Sequence, residues 1–200
     1  MTLVDEIRLE WFSPLNHARF QFTVTAYLSK LLPTSHVGGL TAMHIETERR
    51  FVASPKALSW CRGGTDIEQG YLRADGLVTL RVRIAGDTGS LTIKGRRYGC
   101  SRLELETPIP LMVARSILRQ IPSHMKVKKT RYNVEINGLT WEIDVFGGSN
   151  AGLILAEVEL DDPSQYIRVP DWAIHEITTE HCYSNSHLAR NPYCEWAVAA

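Results

Sequence analysis

From residue 44 onward, one strand-like segment after another carries charge at every second position. The series runs Glu46, Glu48 and Arg50; Arg81 and Arg83; Lys94; Arg102, Glu104 and Glu106; Lys129 and Arg131; Glu142 and Asp144; Glu157 and Glu159. Side chains two apart on a strand point to the same face. The positions between them are largely apolar: Leu80, Val82 and Ile84; Leu91 and Ile93; Leu103 and Leu105; Trp141, Ile143 and Val145; Val158 and Leu160. Each segment therefore has one charged and one oily surface. What remains to be decided is whether the charged surface meets bulk water or a ligand.

Turn signals separate the segments: Arg62-Gly63-Gly64, Ala74-Asp75-Gly76, Ala85-Gly86-Asp87, Asn137-Gly138 and Gly147-Gly148. Asn137-Gly138 accepts the positive φ of a type I′ turn and predicts a hairpin joining Lys129–Ile136 to Leu139–Phe146. A helix is predicted over Leu111–Gln120, with Pro108 and Pro110 near its start and Pro122 after its end. Shorter helical turns are predicted near Ser54–Leu58, Pro163–Tyr166 and Ser186–Ala189. Trp141, Trp172 and Trp196 read as packing residues. The 200 residues suffice for one domain with a real core. Residues 1–42 lack the paired charges and contain the breaker-rich stretch Pro33–Gly39, so they read as an N-terminal extension, poorly ordered or upstream of a true start at Met43. The domain proper is expected over 43–200.

The 22 basic and 22 acidic residues cancel, so no general attraction to nucleic acid or an anionic membrane is implied. Cys61, Cys100, Cys182 and Cys194 form no CxxC pair and read as reduced thiols. Asp5, Glu6 and Glu10 stand where a signal peptide would be basic and then apolar. No stretch approaches the roughly 20 apolar residues of a membrane span. A cytoplasmic, soluble protein is expected.

A merely wet sheet face usually mixes in Thr, Ser, Gln and Asn. Here the positions are Arg, Lys, Glu and Asp, segment after segment. Thr79–Ile84 and Leu91–Lys94 bring only bases, whereas Trp141–Val145 and Ala156–Leu160 bring only acids. Such segregation suits a closed barrel whose interior holds an anion and a cation together. Several Arg and Lys side chains can neutralise the crowded oxygens of a polyphosphate. Paired carboxylates suit a hard divalent cation, Mg²⁺ or Mn²⁺, which bridges phosphate oxygens in turn. The histidines show no metal-type spacing, Ser101, Ser184 and Ser186 lack a nucleophile context, and no GK[ST] follows Gly38-Gly39.

These stretches resemble the CYTH superfamily, the triphosphate tunnel metalloenzymes, which includes bacterial inorganic triphosphatases. The family's E-x-E-x-K strand is matched by Glu46-Thr47-Glu48-Arg49-Arg50, with Arg50 in place of lysine. Gln69-Gly70-Tyr71-Leu72, Leu80–Arg83, Leu91–Gly95, Arg102–Glu106, Lys129–Tyr132, Trp141–Phe146 and Leu155–Glu159 follow in the family's order. The resemblance covers about residues 43–195 and implies an eight-stranded antiparallel β-barrel with helices packed outside. It implies Glu46, Glu48, Glu157 and Glu159 as metal carboxylates, with Glu104 and Glu106 further along the acidic wall. Arg50, Arg81, Arg83, Lys94 and Arg131 would hold the triphosphate, and Lys129 would orient or activate the attacking water, with a plain phosphate contact as its other role. Arg50 is carried as both a catalytic and a substrate-binding residue. Near the C-terminus the family's D-x-R-Y-like stretch is replaced by Glu180-His181-Cys182-Tyr183, so a basic contact is lost unless His181 supplies it. The activity implied is metal-dependent hydrolysis of a triphosphate-containing small molecule, most simply inorganic tripolyphosphate. The alternatives are a class IV adenylate cyclase, which Ile45 after His44 disfavours, and a non-catalytic polyphosphate- or nucleotide-binding module. A homodimer is left open.

Overall fold

The computed structural model describes residues 7–12, 19–24, 44–74 and 78–198. The chain divides into two units, Met1–Gly38 and Gly39–Ala200. In the first, β1 (Ile7–Phe12) pairs antiparallel with β2 (Arg19–Val24). The remainder of the expectation for residues 1–42 falls outside the described residues.

The second unit contains β3 (His44–Ala53), β4 (Thr65–Ala74), β5 (Thr79–Ala85), β6 (Thr88–Tyr98), β7 (Ser101–Ile109), α1 (Leu111–Gln120), β8 (Lys126–Ile136), β9 (Leu139–Phe146), β10 (Ile154–Glu159), β11 (Ala173–Glu176) and α2 (Asn185–Arg190). The sheet runs β10-β9-β8-β4-β5-β6-β7-β3, and an antiparallel β10–β3 pairing closes it into the expected eight-stranded barrel. β11 lies beside the second half of β3. Asn137 and Gly138 turn the β8–β9 hairpin with φ of 53° and 76°, the conformation their residue types favour.

The barrel is inverted relative to most small β-proteins, because its main apolar core lies outside the wall. Phe51, Val134, Trp141, Ile143, Ala156 and Val158 project outward between the charged positions and pack beneath Ala57, Ile167 and Trp172. Trp141 and Trp172 meet edge to face at 5.4 Å. A second outer cluster joins Val82 to Ala114, Leu118 and Ile121 of α1 and the residue after it. Gly70 on β4 permits that approach, since a Cβ there would stand 2.7 Å from Ile121 Cδ1 and 2.9 Å from Leu118 Cδ2. A third cluster sets Tyr71, Val127, Phe146 and Leu155 against Leu188 and Ala189 of α2. These three clusters take up most of the buried apolar side chains, so that, Tyr71 apart, the cavity inside the barrel is lined by polar and charged groups.

The helix over Leu111–Gln120 and the turns at Pro55–Trp60 and Asn185–Arg190 form as predicted. Residues 163–166 do not form a helical turn. Asp162 accepts from the Ser164 N–H at 2.7 Å and its carbonyl from the Gln165 N–H at 3.0 Å, which closes a single hydrogen-bonded turn.

Candidate functional site: a two-walled charged tunnel

The strand order does what local sequence could not. It places β9, β10, β3 and β7, which carry the acidic pairs, next to one another around one side of the lumen. β6, β5, β4 and β8, which carry most of the bases, complete the other side. Between them lies a cavity of about 300 Å³. Its wall includes Glu46, Glu48, Glu157, Glu159, Arg50, Arg81, Arg83, Lys94 and Arg131, so nine of the ten residues singled out from sequence share one cavity. The tenth, Lys129, lies outside the cavity wall, buried behind Asp144 with its Nζ hydrogen-bonded to that carboxylate.

On the basic side, the Arg81 Nη2 donates to Thr92 Oγ1 at 3.0 Å and to Glu106 Oε2 at 3.1 Å, while Arg83 Nη2 reaches Glu106 Oε1 at 2.7 Å. Lys94 Nζ stands 3.1 Å from both Glu46 oxygens and 2.5 Å from Glu104 Oε2. On the acidic side, Glu157 takes Arg50 Nε at 2.9 Å and Arg131 Nη2 at 2.9 Å. Arg131 also forks onto Asp144, at 2.7 Å through Nε and 2.6 Å through Nη2. Glu159 stands opposite Glu48 in the β10–β3 register and lines the more exposed part of the cavity.

The electrostatics follow from this crowding. Burial alone would push the Glu46 and Glu157 carboxyls up. Lys94 and Arg102 overcome that for Glu46, and Arg50 and Arg131 for Glu157, so both are held well below the usual carboxylate range. Burial pushes Glu104 up, and the neighbouring Glu46 carboxylate adds to it. Burial, then Arg131, lowers Lys129 to about 8 despite Asp144. Both walls are therefore highly charged and internally neutralised, the state expected of groups that exchange partners when an anion and a cation enter.

Some site residues had no clear sequence signal. Ser184, Asn185 and Ser186, at the start of α2, line the cavity because that helix packs across the barrel. His181 does not take the place of the missing base: it is exposed, 5.5 Å from the His187 ring, and lies off the cavity wall. Arg97 reaches Glu48, although alternation from Lys94 would point Arg96 inward. The β6–β7 register slips between Lys94 and Arg97, which turns Arg96 outward and exposed. Gly95, a lone glycine within a strand, was the available hint of that bulge.

A closed antiparallel barrel with its core outside and opposed basic and acidic walls inside defines a class of charged-tunnel proteins. The chain belongs to the CYTH domain family, whose profile matches residues 44–190. It is 40% identical over 148 residues to an inorganic triphosphatase of Acetivibrio thermocellus, covering 74% of this chain and 95% of that protein. It is 34% identical over 127 residues to an inorganic triphosphatase of Nitrosomonas europaea, covering 62% and 83% respectively. The crystal structure of an inorganic triphosphatase superposes with a TM-score of 0.53 at 30% identity, covering 72% of this chain and 97% of that one.

Membership of this metalloenzyme family implies dependence on a divalent cation. The donor set fits one: Glu46 and Glu48 share a strand face, Glu159 lies opposite Glu48, and all offer hard oxygen ligands. Among the described residues, no three Asp, Glu, His or Cys side chains converge into a ready-made cage. A cation held here would complete its shell with water and phosphate oxygens, as Mg²⁺ commonly does. No helix of the described residues is long and apolar enough to cross a membrane.

Proposed function

We propose that this chain is a divalent-metal-dependent triphosphatase whose substrate is inorganic triphosphate, taken into the tunnel between the two walls. The observation that carries this reading is the lining of one cavity by Arg81, Arg83, Lys94 and Arg131 together with Glu46, Glu48, Glu157 and Glu159, with Lys94 bonded to Glu46 and Arg131 to Glu157. The likeness to two inorganic triphosphatases supports it. The cavity of about 300 Å³ suits a compact polyanion.

Arg81 and Arg83 offer planar guanidinium forks and Lys94 a compact ammonium to the phosphate oxygens. Arg50 and Arg131, now bonded to Glu157, face the acidic wall and would stabilise charge on the transferring group. Glu46, Glu48, Glu157 and Glu159 would hold Mg²⁺ or Mn²⁺, which when bound polarises the phosphate for attack by water. Lys129 acts through its neighbours: its ammonium fixes Asp144, which in turn fixes the Arg131 fork. That role replaces direct contact with the attacking water, because Lys129 does not line the cavity.

Phosphate release from tripolyphosphate, ATP and thiamine triphosphate, each with Mg²⁺ or Mn²⁺, tests the proposal. Metal-dependent release that is fastest from tripolyphosphate is expected. Cyclic AMP formed from ATP without phosphate release would overturn it, as would tight triphosphate binding with no turnover.

A further inference from the structure

Glu48 receives both of its hydrogen-bonded guanidinium groups on the same oxygen. Arg97 Nη2 donates to Glu48 Oε1, and Arg102 Nη2 donates to that atom at 3.3 Å. Arg102 has a second task, since its Nε holds Glu46 Oε2 at 2.5 Å. Among the described residues, Arg97 has no other carboxylate partner; its Nη1 is anchored on the Cys100 carbonyl at 3.2 Å. That same carbonyl accepts the Glu48 backbone N–H at 3.0 Å. The tip of the β6–β7 hairpin, the Arg97 side chain and the Glu48 backbone are therefore tied at one point.

The arrangement depends on the bulge in β6. Lys94 pairs with Glu104 and Arg97 with Arg102, so three steps along β6 match two along β7. A bulge re-aims a side chain without altering the rest of its strand. Arg97 lies outside the cavity wall, whereas Glu48 lines it and is 4% exposed. A guanidinium placed behind a carboxylate and bonded to one of its oxygens fixes the rotation of that carboxylate. Such outer partners are what orient a metal-ligating group.

We propose that Arg97 is a positioning residue for the metal site: by binding Glu48 Oε1 from behind, it sets the Glu48 carboxylate so that Oε2 is presented to a divalent cation. This deepens the metal-dependent reading of the tunnel and rests on it. Arg97 touches neither substrate nor metal. Its effect falls on cation affinity, not on the rate of the fully loaded enzyme.

The test uses the full chain and Mn²⁺ as the probe, with binding measured by calorimetry and by the loss of the free-ion paramagnetic resonance signal, in the absence of any phosphate. R97A is expected to weaken Mn²⁺ binding about 10-fold or more, the usual effect of removing an outer-shell partner. The Mn²⁺ concentration for half-maximal tripolyphosphate hydrolysis should rise in parallel, while kcat at saturating Mn²⁺ stays within about threefold. R97K should recover part of the affinity. R96A, on the exposed side of the bulge, should match the wild type. Circular dichroism melts establish that each variant is folded, and R97Q, which keeps the side chain's length, replaces R97A if that chain fails to fold. Unchanged Mn²⁺ binding in a folded R97A or R97Q overturns the proposal, and so does a fall in kcat with Mn²⁺ affinity intact. A wild-type chain that binds no Mn²⁺ overturns the metal reading and the Arg97 role with it. A wild type that binds Mn²⁺ and is weakened by R97A, yet hydrolyses no triphosphate, supports the Arg97 role and refutes the catalytic reading alone.

Discussion

Arg50 of β3 and Glu157 of β10 are register partners across the seam that closes the barrel, and Arg50 Nε donates to Glu157 Oε1 at 2.9 Å. The same guanidinium reaches past the carboxylate with Nη2 to the Tyr183 carbonyl at 2.8 Å. One side chain thus ties the acidic wall to the segment leading into α2. A single ammonium cannot reproduce that geometry, because it offers a point charge where Arg50 offers a rigid fork. The arginine that departs from the family's E-x-E-x-K pattern is therefore built into this chain's own contacts.

R50K should lose the Tyr183 bond while keeping a charge beside Glu157. Urea denaturation is expected to show a stability loss of about 2 kcal/mol, the scale of one hydrogen bond involving a charged group. A variant as stable as the wild type would mean that the Tyr183 contact contributes nothing.

Replacing Glu46 and Glu48 together by Gln leaves their shapes and one acceptor each but removes two hard anionic oxygens. Metal-dependent phosphate release from tripolyphosphate should fall by at least about 100-fold. Thermal melts would check that the fold persists. Undiminished turnover would show that these carboxylates do not hold the metal.

Lys129 is held at about 8 in the folded chain, by burial first and Arg131 second, against 10.5 for a free lysine. Between those two pH values the unfolded chain binds more protons than the folded one. Stability contributed by this group therefore rises with pH across that window and is lost as pH falls through about 8. Unfolding free energies measured at intervals across the window should climb in the wild type more steeply than in K129M. Parallel profiles would show that Lys129 is not the group responsible.

Gly70 faces α1 so closely that an added methyl would meet Ile121 and Leu118. G70A should cost about 1–3 kcal/mol through overpacking, read from the shift in denaturation midpoint, because the Ile121 and Leu118 side chains must shift within a packed cluster. A neutral G70A would mean that Ile121 and Leu118 re-pack around the added methyl without strain.

Period-two alternation identified the residues of the lumen because side-chain direction in a strand is a local property. Knowing that Glu46 faces one side places Glu48 and Arg50 beside it, whatever the fold. The Asn137-Gly138 hairpin and the Leu111–Gln120 helix were legible for the same reason, since turn chemistry and helix boundaries depend on neighbours in sequence. Arg97 was not, because the slip in β6 is set by pairing with β7 and reverses which arginine points inward. His181 drew attention as a replacement base, but the packing of Leu188 and Ala189 brings Ser184, Asn185 and Ser186 to the cavity instead.

The sequence by itself determined which side chains share a face, that one face is charged and the other oily, and hence that a β-structure with a polar interior was the consistent outcome. Only the tertiary structure decided which charges meet. Strand order gathered the acid-bearing strands on one side and the base-bearing strands on the other. It then paired Arg50 with Glu157, Lys94 with Glu46 and Lys129 with Asp144, across 107, 48 and 15 residues of chain respectively. The alternation repeats every two residues and is blind to such separations, whereas Coulomb attraction and barrel closure depend on distance in space alone.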